Sequence, residues 1–189
     1  ALVLGASLGL LAGFLGGRTD ALVMRVVDVL LAFPYLLLAL IIVAALGPSL
    51  INSIVAIGVV YTPQYARLIR GQVLSIKTTE YVLAARAVGT SPLRIMLRHV
   101  VPHLTSTLLI QSVAVFGYAI LAIAALGFVG LGAQVPTPEW GSMITDGLNN
   151  VLTGGWWVGV FPGIGLLLAV AATRIIADRA RDIFDPRGE

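Results

Sequence analysis

Charge is missing from four long stretches of this chain and returns in short clusters between them. Leu2–Gly17 carries none, Val29–Ala66 runs 38 residues without one, and Leu104–Pro138 and Gly147–Thr173 are also free of it. A bilayer core about 30 Å thick needs roughly 20 apolar residues of helix, so these stretches predict membrane spans. Gly47-Pro48-Ser49 is a turn signal at the midpoint of the longest run. It divides that run into spans near Val29–Leu46 and Leu50–Ala66. The later runs predict spans near Thr105–Gly127 and Trp157–Ile176, and with Leu2–Gly17 the total is five. The expected fold is an all-α, polytopic transmembrane helix bundle. Residues 1–189 form one membrane domain, with a polar loop at 67–103 and a second loop at 128–156.

Composition supports the same class. The chain is 58% hydrophobic and only 11% charged, with a mean hydropathy of +0.98, whereas soluble domains carry about 25% charged residues. It has no cysteine, which excludes disulfides and thiolate metal sites. The pI of 9.7 is explained by where the basic residues sit. Arg18 and Arg25 follow the first span; Arg67, Arg70, Lys77, Arg86, Arg94 and Arg98 follow the third; Arg174, Arg179, Arg181 and Arg187 close the chain. If the spans alternate, all 12 lie on one side, which the positive-inside rule makes cytoplasmic. The pI is therefore a topology signal, and no nucleic-acid partner is expected. The chain is expected to be a multi-pass protein of a bacterial or archaeal cytoplasmic (inner) membrane, with its C-terminus in the cytoplasm. Ala1 then lies outside, and the start has no basic n-region of a signal peptide. The expectation is a missing first span upstream.

Small residues mark helix contacts. Gly5, Gly9, Gly13 and Gly17 recur every four residues, and Gly155, Gly159 and Gly163 repeat the spacing. In lipid such stripes let helix backbones approach closely. Pro34, Pro63 and Pro162 are expected to kink or break their helices. No ionisable residue falls at mid-span, which counts against proton relays and ion-coupled carriers. Any pathway would be lined by uncharged polar groups such as Asn52, Ser53, Gln111, Ser112 and Tyr118.

The polar run Glu80–His103 reads as two short helices around a turn. Thr79 is a fair N-cap for a helix over Glu80–Val88, and Gly89 fits its C′ position. Ser91 and Pro92 suit the N-cap and N1 of a second helix that runs to a bend at Pro102. Ala84, Ala85 and Ala87 form a small-residue face that a partner could approach. The residues alone leave two uses open: docking a partner, or lying among lipid headgroups. His99 and His103 have helical ligand spacing but no third ligand nearby, so no metal site is expected. Glu139 and Asp146 read as solvated carboxylates of the external loop, which is expected to carry a short amphipathic helix within Gln134–Leu152.

The run resembles the cytoplasmic loop signature of ABC-transporter permease subunits: Glu-Ala-Ala, three residues, Gly, nine residues, Ile-x-Leu-Pro. Here Leu83-Ala84-Ala85, Gly89 and His99-Val100-Val101-Pro102 keep every spacing, with Leu83 replacing the Glu and His99 and Val101 replacing Ile and Leu. The ending, with Glu80-Tyr81-Val82 upstream, is similar to the dipeptide/oligopeptide/nickel branch of binding-protein-dependent inner membrane components. Pro136-Thr137-Pro138-Glu139-Trp140-Gly141-Ser142-Met143 and Arg181-Asp182-Ile183-Phe184-Asp185-Pro186-Arg187 resemble that branch's external loop and tail.

The resemblance implies a type I ABC importer permease that normally has six spans. It implies that the loop is a coupling helix seated on a cytoplasmic ABC ATPase, a role carried over to Ala84, Ala85 and Gly89, with Glu80, Arg86 and Ala87 as neighbours. It also implies a second homologous permease subunit, an external substrate-binding protein and a di- or oligopeptide substrate. The alternatives are nickel or another small solute, a self-contained channel or secondary carrier, or a membrane scaffold bound to lipid. The one lysine, Lys77, follows Ser75-Ile76 and not the glycine of a phosphate-binding loop. No cofactor bound by this chain and no catalytic residue are expected; ATP and Mg belong to the partner ATPase.

Overall fold

A computed structural model describes residues 1–151 and 153–184. Asp185, Pro186 and Arg187 of the tail motif lie outside them. The described residues contain helices and turns and no strand. In order these are α1 (Leu2–Leu15), α2 (Gly17–Ala32), α3 (Tyr35–Leu46), α4 (Leu50–Ile76), α5 (Glu80–Ala87) and α6 (Pro92–Ile95). A π-helical turn (Met96–Val100) follows, then α7 (Val101–Phe128), α8 (Trp140–Val151) and α9 (Trp157–Phe184).

The span count differs from the expected five. Among the described residues two helices are long and apolar enough to cross a membrane: the continuous run Pro92–Phe128, and Trp157–Ile183. A third is reached only if α2 and α3, interrupted at Phe33-Pro34, form one broken span. The break has a local cause. A residue before proline is pushed out of the helical region, and Phe33 ahead of Pro34 is extended at φ −85°, ψ 140°. At 14 residues, α1 is about 21 Å long, short of the bilayer core. α4 has the length, but its polar residues keep it below the same apolarity.

The other two prolines do not break their helices. Pro63 and Pro162 remain inside α4 and α9. The helical run also continues unbroken through Pro102, with a π turn just ahead of it. Val101 N–H reaches Met96 O there, and the extra residue in the ring moves a carbonyl away from the proline that cannot bond to it.

The backbone forms two compact units. The first comprises Ala1–Phe33, Tyr61–Ser112 and, among described residues, 182–184. In it α1 lies on α4 through glycines. A Cβ added at Gly5 would sit 2.5 Å from Thr62 O and Tyr65 Cβ; one at Gly9 would strike Ala66 O, and one at Gly13 would lie 2.9 Å from Val73 Cβ. Lys77 Nζ donates to Gly13 O at 2.9 Å, satisfying a carbonyl of the last turn of α1. Arg70 grips Asp20 with Nε and Nη2, the latter at 2.6 Å, while Arg67 pairs with Asp28. The Arg70 pair is bidentate and partly buried, the geometry in which such pairs contribute most; the exposed Arg67 pair adds about 1 kcal/mol at best.

The second unit comprises Pro34–Val60 and Val113–Arg181. Its α3–α4 turn consumes polar groups that the sequence offered to a pathway. Asn52 Nδ2 donates to Leu46 O and Gly47 O, and the buried Ser53 hydroxyl bonds to Ser49 O and Leu131 O at 2.9 and 3.1 Å. Tyr118 is likewise engaged: Arg174 Nη2 donates to its hydroxyl at 2.7 Å and the guanidinium sits 4.8 Å from its ring centre. α8 packs through Gly141 on Ala124 and through Gly147 on Gly159, and Gly165 faces Trp140.

The two glycine stripes are therefore unequal. Gly17 opens α2 at φ +55° instead of extending α1, and Gly155 precedes α9 beside Asn150. Gly163 faces open space. Replacing Gly9 with alanine is expected to destabilise the protein by about 1–3 kcal/mol through overpacking, read as a lower thermal midpoint in detergent. Gly163→Ala is expected to leave stability unchanged or raise it by up to about 1 kcal/mol, since alanine is the better helix former.

Candidate functional site

The segment after α4 folds back on itself as an elbow. α4 ends in a turn in which the Thr78 and Thr79 hydroxyls donate to Ser75 O and Ile76 O at 2.8 and 2.6 Å. Thr79 is the N-cap of α5 by backbone position but makes no side-chain capping bond, since its hydroxyl is already used. At the other end Val88 is the C-cap and Gly89 follows at φ +78°. Gly89 N–H reaches Arg86 O at 2.9 Å and Thr90 N–H reaches Ala85 O at 3.1 Å. That pair of bonds is the Schellman termination, which needs a left-handed residue and so favours glycine. Pro92 then opens the next helix at its first position.

The elbow has its own apolar core. Val82, Ile69, Val73, Ile95, Val100 and Leu104 are all buried together, with Ala85 partly buried against them. Tyr81 adds a second tie, its ring centre lying 6.2 Å from that of His99 and 5.5 Å from that of His103. The two histidines thus face an aromatic ring.

With Val82 and Ala85 turned inward, helical spacing puts Glu80, Leu83, Ala84, Ala87 and Val88 on the outward side, and all of them are exposed. Leu83 is 50% and Val88 82% exposed. Of the residues singled out in the sequence, Glu80, Ala84 and Ala87 share this face, Arg86 lies on its flank, and Gly89 ends it. Ala85 does not share it, because it packs on the elbow's core. The sequence reading overlooked Leu83 and Val88; their i, i+3 and i+4 spacing to Ala84, Ala87 and Glu80 was the available signal.

A second polar site occupies the loop before α8. Glu139 Oε2 accepts the Ala133 N–H at 2.7 Å, while Oε1 is enclosed with no hydrogen-bond partner. A Cβ at Gly127 or Gly132 would collide with this carboxyl group. Glu139 is therefore not a solvated carboxylate as the sequence suggested, although Asp146 is exposed. The expected amphipathic helix is present as α8. Burial pushes the Glu139 carboxyl above its ordinary 4.5, with the Ala133 N–H opposing the shift.

Residues 5–188 match the family described as binding-protein-dependent transport system inner membrane component. The chain belongs to this family. It is 44% identical over 187 residues to the dipeptide transport system permease protein DppC of Alkalihalophilus pseudofirmus, covering 99% of this chain and 61% of that one. It is 46% identical over 186 residues to the di/tripeptide transport system permease protein DppC of Pseudomonas aeruginosa, covering 98% and 61%. With the DppC of Escherichia coli K12 the identity is 46% over 166 residues, covering 88% and 55%. The chain spans about three fifths of the length of these curated relatives.

As an inner membrane component, this is a multi-pass membrane protein, and its two polar sites differ in character. The elbow presents an apolar outward face over a firm core, whereas Glu139 is turned inward and holds its loop. Because folding raises the Glu139 pKa, the stability it contributes is complete below 4.5 and is lost as pH rises through the folded value. Thermal midpoints of the parent and Glu139→Gln should therefore converge at about pH 4 and separate in favour of the variant toward about pH 7. A separation in the opposite sense would contradict this placement of the carboxyl group.

Proposed function

We propose that this chain is the membrane-spanning permease subunit of an ATP-driven importer for di- or oligopeptides, coupled to a separate cytoplasmic ABC ATPase through the 67–103 elbow. The observation that carries the reading is the outward face of α5, with exposed Leu83, Ala84, Ala87 and Val88 backed by a buried core. Such a face has the apolar character of the core of a docking surface, and the buried residues behind it suit it to pass a rigid-body movement into attached helices. The peptide assignment is supported by the relatives' names as dipeptide and di/tripeptide permeases.

On this reading the basic residues put the elbow and the C-terminus in the cytoplasm, while α8 and the Glu139 loop lie outside, where a substrate-binding protein delivers its ligand. ATP and Mg are bound by the ATPase, and a second homologous permease completes the pathway.

The chain has no cysteine, so single cysteines report cleanly. A cysteine at Ala87 should cross-link to the ATPase in membranes and resist a membrane-impermeant thiol reagent added to intact cells. Leu83→Asp should cut the ATPase recovered with the permease roughly tenfold, the scale of a central interface residue. Val135→Asp, in the loop before α8, should leave recovery unchanged. Labelling of the Ala87 site from outside intact cells would overturn the topology and the coupling role together.

A further inference from the structure

Beside the elbow, Ser91, Leu93, Arg94, Leu97, Arg98 and Pro102 line an open groove of about 570 Å³. Its two guanidiniums sit one helical turn apart, and neither has a carboxylate partner among the described residues. Leu93 and Leu97 border the same groove and are 62% and 56% exposed. The segment also carries the π-helical turn Met96–Val100, a rare geometry that recurs at functional sites.

We propose that this groove binds the phosphate of an anionic phospholipid, with Arg94 and Arg98 on the phosphate and Leu93 and Leu97 against the acyl chain. Location and chemistry both favour lipid. The groove opens on the helix that runs unbroken from Pro92 to Phe128, and Pro102 on its rim is three residues from Thr105, near which the charge-free sequence places the start of the apolar span. That offset is about 4.5 Å of helix rise, within the headgroup layer. Two cations without a carboxylate partner among the described residues, flanked by exposed leucines, match an amphiphile with an anionic head. A purely ionic ligand would leave the leucines uncovered. This face is also separate from the outward stripe of α5, so the proposal does not depend on what the elbow docks. Bound lipid would hold the foot of the long helix at the membrane surface.

The purified chain is titrated in detergent with short-chain phosphatidylglycerol, and bound lipid is counted by native mass spectrometry. Phosphatidylcholine of the same chain length serves as the reference. One saturable phosphatidylglycerol site is expected, weakened roughly tenfold in the Arg94→Gln/Arg98→Gln double variant. Arg94→Lys/Arg98→Lys should stay within about threefold, because lysine still meets phosphate as a point charge. Arg18→Gln/Arg25→Gln, which removes equal charge elsewhere, should bind normally. Equal weakening in both glutamine pairs would overturn the proposal, as would full displacement of the lipid by excess inorganic phosphate. It would also fall if the Arg94/Arg98 glutamine pair kept its lipid and lost the ATPase, which would assign the groove to a protein interface.

Discussion

Val82 is the one fully buried side chain of α5, and the form of the elbow depends on it. An eight-residue helix is too short to be stable alone in water. It persists here because Val82 inserts among Ile69, Val73, Ile95, Val100 and Leu104, which come from α4 on one side and the α6–α7 run on the other. Burial of a valine contributes about 1.5–3 kcal/mol, comparable to the whole deficit of a marginal helix. The same contact decides which residues face outward. Once Val82 points in, the helical period sends Glu80, Leu83, Ala84, Ala87 and Val88 out.

Both ends of the elbow are set by backbone chemistry. Gly89 supplies a left-handed conformation at which two carbonyls of α5 are closed, so the chain reverses without leaving polar groups exposed to an apolar neighbour. The π turn at Met96–Val100 precedes Pro102, and the helix continues unbroken into its apolar length. The elbow and that helix are thus one run of backbone. The continuous rod keeps them mechanically joined, as the proposed coupling requires.

Close packing in the first unit comes from missing side chains. α1 has little amphipathic character to orient it, and the three glycines Gly5, Gly9 and Gly13 provide the shape that fits α4. In lipid, hydrophobicity does not drive helices together, so backbone proximity and polar ties must do so. The Asp20–Arg70 pair and the Lys77 bond to the end of α1 are those ties. Glu139 follows the same logic in the second unit, where glycines leave a space that a carboxyl group fills.

The membrane class, the glycine turn at position 89 and the family resemblance were all legible in the residues. Each follows from local composition or from spacing along the chain. Which proline breaks its helix was not legible: Pro34 does, while Pro63 and Pro162 do not, because the outcome rests on packing around each ring. The same holds for the number of long apolar helices, and for the inward turn of Ala85 that leaves Leu83 and Val88 outside. It holds as well for the burial of Glu139 and for the engagement of Asn52 and Ser53 in a turn. A helical pattern states which residues share a face. Only contacts between distant segments decide where that face is turned.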